Sequence, residues 1–192
     1  PNCFEYFDGV VYKLNDFVLD TGSLLSELTK HLKNRLFKLD CSEKTVRHVA
    51  DGYKIALSDC TIKSKVFINC AGVGTRRILQ NLKITDFEIQ NRPLKQIIVD
   101  APNQTNMFAH CITNLSSLEP RLTITTHASG SKKVWYIGGQ LASQGASLSD
   151  EAQIAYAKKE LTDCVPWLSW KDANWRVLSI DRAEPLTVNR LK

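Results

Sequence analysis

The segment that most constrains this chain is Val66-Phe-Ile-Asn-Cys-Ala-Gly-Val-Gly-Thr75, followed by Arg76-Arg-Ile-Leu79. An apolar run stops at two glycines, and an amphipathic segment opens behind them. A strand, a tight turn and a helix start in that order bring backbone N–H groups close to an anion, because glycine has no Cβ to block the approach. Gly72 and Gly74 match the first half of the dinucleotide-binding pattern G-x-G-x-x-G, but Arg77 stands where the third glycine belongs. No βαβ pattern surrounds the segment, which argues against a self-sufficient nucleotide site. The competing use of the two glycines is a plain turn that needs positive φ.

The chain has 192 residues, enough to bury a core, and its 43% hydrophobic and 23% charged residues describe a soluble globular protein. Its apolar runs are too short to span a bilayer. The N-terminus lacks a basic region followed by an apolar one, so no secretory leader is expected. A start at Pro1 and an end at Lys192 in mid-pattern suggest one domain, 1–192, cut from a longer polypeptide. The net charge of +5 is scattered, with no basic run longer than Arg76-Arg77 or Lys132-Lys133 and no interleaved aromatics, which excludes a nucleic-acid partner. Six cysteines, at 3, 41, 60, 70, 111 and 164, show no metal-ligand spacing. No metal site is expected, and reduced thiols in the cytoplasm fit their use.

Periodicity predicts many strands and two helices. Strands are expected at 9–14, 45–49, 53–57, 66–70, 87–90, 94–99, 121–127, 133–137 and 175–180, with a shorter one near 61–63. The pair 45–49 and 53–57 flanks Asp51-Gly52, a hairpin turn. Arg92-Pro93 is read as a break between strands, since proline cannot continue a ladder. One helix starts at Asp20-Thr21 and carries Leu24, Leu25, Leu28 and Leu32 on one face. The other is capped by Ser147 or Ser149 and carries Ile154, Ala157, Leu161 and Cys164, with Pro166 ending it. The fold class is therefore α+β: a large, mostly antiparallel sheet with helices packed against it.

Four segments occur in an order that resembles a known superfamily: Asp16-Phe-Val-Leu-Asp-Thr-Gly-Ser-Leu-Leu25; Val46-Arg-His-Val49 with its hairpin and the glycine turn; Arg92-Pro-Leu-Lys-Gln-Ile-Ile-Val99; and Val134-Trp-Tyr-Ile-Gly-Gly139 with Asp181-Arg-Ala-Glu-Pro185. They look like the central part of the FAD-dependent oxidoreductases related to D-amino acid oxidase, glycine oxidase and glycerol-3-phosphate dehydrogenase. The resemblance spans about residues 9–188. The family's N-terminal flavin-pyrophosphate βαβ and its C-terminal flavin-closing segment are missing from this sequence. The resemblance thus implies the substrate-binding domain of a two-domain flavoenzyme, acting on a small anionic substrate such as glycerol 3-phosphate or an amino acid. This piece alone would not retain FAD. It leaves open the electron acceptor (oxygen, quinone or carrier) and peripheral attachment at the inner face of the membrane. The competing reading is a non-catalytic binding module without flavin.

Arg182 stands where the resemblance places an arginine that meets a carboxylate or phosphate, which suits a planar guanidinium. Its alternative is an ion pair with Asp181 or Glu184. Strand alternation puts His127 with Thr125, away from Leu122 and Ile124. An alcohol substrate would need such a base, whereas an amine would not. Backbone hydrogen bonding is the alternative for His127, and His110 has a similar case as a substrate-binding residue. By resemblance, Ala71, Gly72, Val73 and Gly74 lie along the flavin nucleotide, and Val46 meets its adenine end through the main chain. Gln96 and Tyr136 are further residues that would face a substrate cavity. His31 and His48 are expected to be exposed, and the four tryptophans to serve packing.

Overall fold

The computed structural model describes residues 9–37, 46–57, 59–113 and 119–186. The fold is α+β, with two antiparallel sheets and four α-helices among the described residues. The described residues divide into two compact units, those within 9–16 and 93–181, and those within 17–92 and 182–186.

In the unit built on residues 17–92, helix α1 (Thr21–Thr29) begins at Asp20, whose carboxylate accepts from the Gly22 N–H at 3.2 Å. That is the predicted start. The predicted apolar face forms but stays exposed, and no residue of α1 is buried. Strands β1 (Val46–Val49), β2 (Gly52–Ala56) and β3 (Thr61–Ser64) make an antiparallel meander around the Asp51-Gly52 turn. Helix α2 (Thr75–Leu82) packs on β1, burying Ile78 and Val46. It ends at Lys83, whose left-handed φ of 56° lets its N–H return to the last carbonyls. Arg76 Nη2 donates to the Ile89 carbonyl at 2.7 Å, fixing α2 to the chain that follows.

The larger sheet has the order β5-β6-β7-β4-β8, from β4 (Ile89–Asp100), β5 (Phe108–Cys111), β6 (Leu122–Ser129), β7 (Lys132–Gly138) and β8 (Asn174–Pro185). Central register pairs are Ile97↔Ile137 and Ile124↔Ile137. These residues, with Val99, Leu122 and Trp135, are fully buried on one face beneath α3 (Gln140–Gln144) and α4 (Asp150–Cys164). Trp135 satisfies its indole by donating to the Thr105 carbonyl at 2.8 Å. The Ser149 hydroxyl accepts from the Ala152 N–H at 3.2 Å, capping α4 as expected.

Three polar features fix the helices to this face. Gly139, at φ +77°, makes the turn from β7 to α3; a Cβ there would stand 2.6 Å from the Pro120 carbonyl. The Gln140 and Leu141 N–H groups donate to the Pro120 and Arg121 carbonyls at 2.9 and 3.3 Å. Arg121 itself clasps α4: its Nε donates to Glu160, and its Nη2 donates to Glu160 and Asp163 at 3.1 and 2.8 Å. Hydrogen bonding to Glu160 holds the guanidinium pKa above its ordinary value, against the opposing effect of burial. Gln153, fully buried on α4, donates to the Lys95 and Leu141 carbonyls at 2.9 and 3.0 Å.

The structure differs from the sequence expectation in several places. Residues 9–14 and 66–70 form no strand, and Val10 and Ile68 are 73% and 80% exposed. Alternation marks side chains that could be buried, but a strand also needs a neighbour to receive its hydrogen bonds, and these have none among the described residues. β4 runs unbroken through Pro93, which lies ahead of Ile97, the first residue of β4 paired with β7. Residues 181–185, read as a segment following the last strand, continue β8.

Removing Arg121 leaves the Glu160 carboxylate, whose side chain is 9% exposed, without its partner. Arg121→Met should therefore destabilise the chain by about 3 kcal/mol in urea unfolding, and the double variant Arg121→Met/Glu160→Met should recover most of it. Equal stability of Arg121→Met and the unmodified chain would refute the clasp.

Candidate functional site

The helix-covered face of the large sheet is apolar, whereas the opposite face mixes the buried Ile98 and Val134 with His110, Thr123, Thr125, His127 and Tyr136, brought into neighbouring rows by the pairs His110↔Thr123 and Thr125↔Tyr136. The β4–β7 register sets Gln96 in the row of Gly138 on this same face. The Tyr136 ring meets the His127 ring edge-on with centroids 4.6 Å apart. Thr125 Oγ1 and His127 Nε2 share a hydrogen bond of 2.8 Å, so the imidazole is oriented by side chains rather than by backbone. Its Nδ1 has no partner among the described residues, and the ring is exposed. His110 is exposed on the edge strand β5, a strand too short for the sequence pattern to reveal. His31 and His48 are exposed, as expected.

In the other unit, the glycine turn is a single 3-10 turn over Gly72–Gly74 that runs directly into α2. Gly72 has φ +55°, and nothing lies within 4 Å of the position a Cβ would take. The turn is thus open on the side where a ligand would approach, and its conformation favours glycine. Ala71 precedes it, its N–H received by the Asn69 side chain at 3.1 Å. Val46, packed near α2, opens β1, the edge strand of the small sheet among the described residues, so one side of its backbone has no ladder bonds to them. The structure brings Val46 and residues 71–74 into one unit.

Arg182 lies in that same unit, on β8. The ion pairs that sequence proximity offers it are not made. Glu184 is instead held by Arg92 Nη1 at 3.0 and 3.3 Å, and Asp181 is exposed. The Arg182 Nε is buried with no hydrogen-bond partner among the described residues. A buried guanidinium N–H without an acceptor is costly. The Arg92–Glu184 pair, joining positions far apart in sequence, is the feature of this candidate site that sequence reading missed.

Because the space around Gly72 is empty, a substitution there meets only the backbone penalty. Gly72→Ala should cost about 1 kcal/mol in urea unfolding of the chain, and Gly72→Asn less. A loss of several kcal/mol for either would mean that the turn is packed rather than open.

No family model matches the chain. A curated protein, the probable FAD-dependent oxidoreductase PA4991 of Pseudomonas aeruginosa, is 30% identical over 191 residues, covering 97% of this chain and 47% of its own length. The crystal structure of the FAD-dependent oxidoreductase PA4991 from Pseudomonas aeruginosa superposes with a TM-score of 0.57 at 37% identity, covering 63% of this chain and 33% of that one. This chain spans about half the length of the curated relative it matches. Along nearly all of its sequence, the chain is homologous to an FAD-dependent oxidoreductase.

Proposed function

We propose that this chain is the substrate-binding region of an FAD-dependent oxidoreductase that acts on a small anionic substrate, an amino acid or a glycerol 3-phosphate-like alcohol. The flavin part of the reading rests on the relative's description. The observation that carries the anionic substrate is Arg182, whose buried Nε lacks an acceptor while Arg92 occupies Glu184. Its guanidinium would receive the substrate's carboxylate or phosphate in a charge-assisted, forked hydrogen bond.

The open turn at Gly72 fits the nucleotide portion of FAD, since glycine there admits a ligand to the backbone. Ala71, Val73 and Gly74 would line the same portion, with Val46 contributing main chain. Bound FAD would accept hydride from the C–N or C–O bond. In the alcohol case, the free Nδ1 of His127 would take the hydroxyl proton, with Thr125 and Tyr136 holding the ring. His110, on the same sheet face, would add a polar contact to the substrate. Oxygen, a quinone or a carrier protein would reoxidise the flavin. No helix among the described residues is long and apolar enough to cross a membrane. The reading places the protein in the cytoplasm, with peripheral attachment at the membrane's inner face.

The test is an anaerobic visible spectrum of the full-length protein with and without candidate substrates. A flavin band that bleaches with an amino acid or glycerol 3-phosphate supports the reading. Well-folded protein without flavin favours the binding-module alternative. In the active protein, Arg182→Ala should raise apparent KM for the anionic substrate on the order of ten- to a hundred-fold, with flavin content unchanged. Gly72→Val should lower flavin content, and full retention would remove Gly72 from the cofactor site.

A further inference from the structure

The register of the small sheet lines up like charges. Arg47↔Lys54 and Lys54↔Lys63 are directly opposed pairs, so β1, β2 and β3 each place one cation in a single row. With neighbouring strands about 4.8 Å apart, the row spans roughly 10 Å. Alternation sends the adjoining row, Val46↔Ile55↔Ile62, to the other face, where Val46 is buried beside α2. The cations are thus on the face turned away from that helix, and all three are exposed. Lys65, two positions past Lys63, is exposed too, and its Cα lies beside Gly52.

Among the described residues, nothing neutralises this row. The rest of the face is Val49, Ala56 and Thr61, without a carboxylate, and none of the four cations is in an ion pair. Asp51 lies in the β1–β2 turn and Asp59 in the β2–β3 connection, and neither holds them. Like charges directly opposite each other destabilise a sheet, and an anionic surface laid against them removes that repulsion. We propose that Arg47, Lys54, Lys63 and Lys65 form a docking surface for an anionic lipid bilayer. The surface gives residues to the peripheral membrane attachment read above, on which it rests, and it needs no flavin.

The make-up of the face selects the lipid among polyanions. A single-stranded nucleic acid needs aromatic platforms for its bases, and the rings of this sheet, His48 and Tyr53, share the face of Val46 instead. A stable protein interface needs a desolvated centre of Tyr, Trp or Arg anchors and is poor in lysine. Here three of the four cations are lysines in water. Bilayer headgroups ask for no such anchors. They supply a continuous negative plane, and a group of about four Lys or Arg side chains gains from its potential without fixed pairing. A compact ammonium on a flexible stem suits headgroups that diffuse in that plane.

The test is co-sedimentation of the full-length protein with vesicles of phosphatidylcholine, alone or with about one third phosphatidylglycerol, in about 0.1 M salt. The expected result is binding to the anionic vesicles alone, released by about 0.5 M salt, where screening is severe. Lys54→Gln/Lys63→Gln should weaken binding roughly 25-fold, about fivefold per cation, with circular dichroism unchanged. Lys54→Arg/Lys63→Arg should bind as the unmodified protein does. Binding that survives in the glutamine variant leaves the attachment standing and overturns this surface as its cause. No binding by the unmodified protein overturns both, and the flavin spectrum is untouched by either result. Equal binding to neutral vesicles overturns the proposal, as does binding to single-stranded DNA or poly-L-glutamate in place of the vesicles. Binding that resists salt overturns it in the unmodified protein, even where a variant misfolds.

Discussion

The two residues Pro120 and Arg121 organise most of what surrounds them. Their carbonyls receive the first N–H groups of α3, and the Arg121 side chain reaches two carboxylates one turn apart on α4. A sheet and two helices are thus tied at one point, at the start of the buried strand β6. The hydrophobic effect places α4 over Ile124 and Ile137 but does not choose where along the sheet it stops. Arg121 supplies that register. Its forked donor geometry matches the spacing of Glu160 and Asp163, which a lysine could not reproduce with the same directionality.

With one face of the large sheet committed to that packing, the alternate residues form a mixed face on which hydroxyl, imidazole and phenol groups stand beside the buried Ile98 and Val134, and Thr125 and Tyr136 both contact His127. Arg182 depends on a different economy of charge. Its two acidic neighbours in sequence do not neutralise it, because one is exposed and the other is engaged by Arg92. Its buried Nε has no hydrogen-bond partner among the described residues, a costly state for a guanidinium donor.

Much of this was legible in the sequence, and the gaps have physical causes. The caps at Asp20 and Ser149 were readable because side-chain oxygens satisfy helix N–H groups locally. The α+β class and the facing of His127 followed from alternation, a property of the strand itself. The segments 9–14 and 66–70 were misread because pairing depends on a partner that alternation does not specify. Pro93 was misread as a break because pairing with a distant strand is not visible locally: β4 runs through it ahead of Ile97, its first residue paired with β7. The helix stripe at Ala157 and Leu161 was visible, but Gln153 and Glu160 beside it were not. A polar residue is buried only where distant acceptors or cations meet it. The freedom of Arg182 was equally hidden, since it is decided by Arg92, remote in sequence.

Gln153 has one further consequence. Its side-chain amide acts as a backbone surrogate between β4 and α3, and it fills the space beside Gly145: a Cβ on residue 145 would fall 2.0 Å from the Gln153 side-chain oxygen. Neither position is free to drift alone. A side chain at 145 becomes admissible only after Gln153 shortens, and a shorter residue at 153 abandons two carbonyls. The pair should behave as a single heritable unit among relatives that share this packing, changing together or not at all.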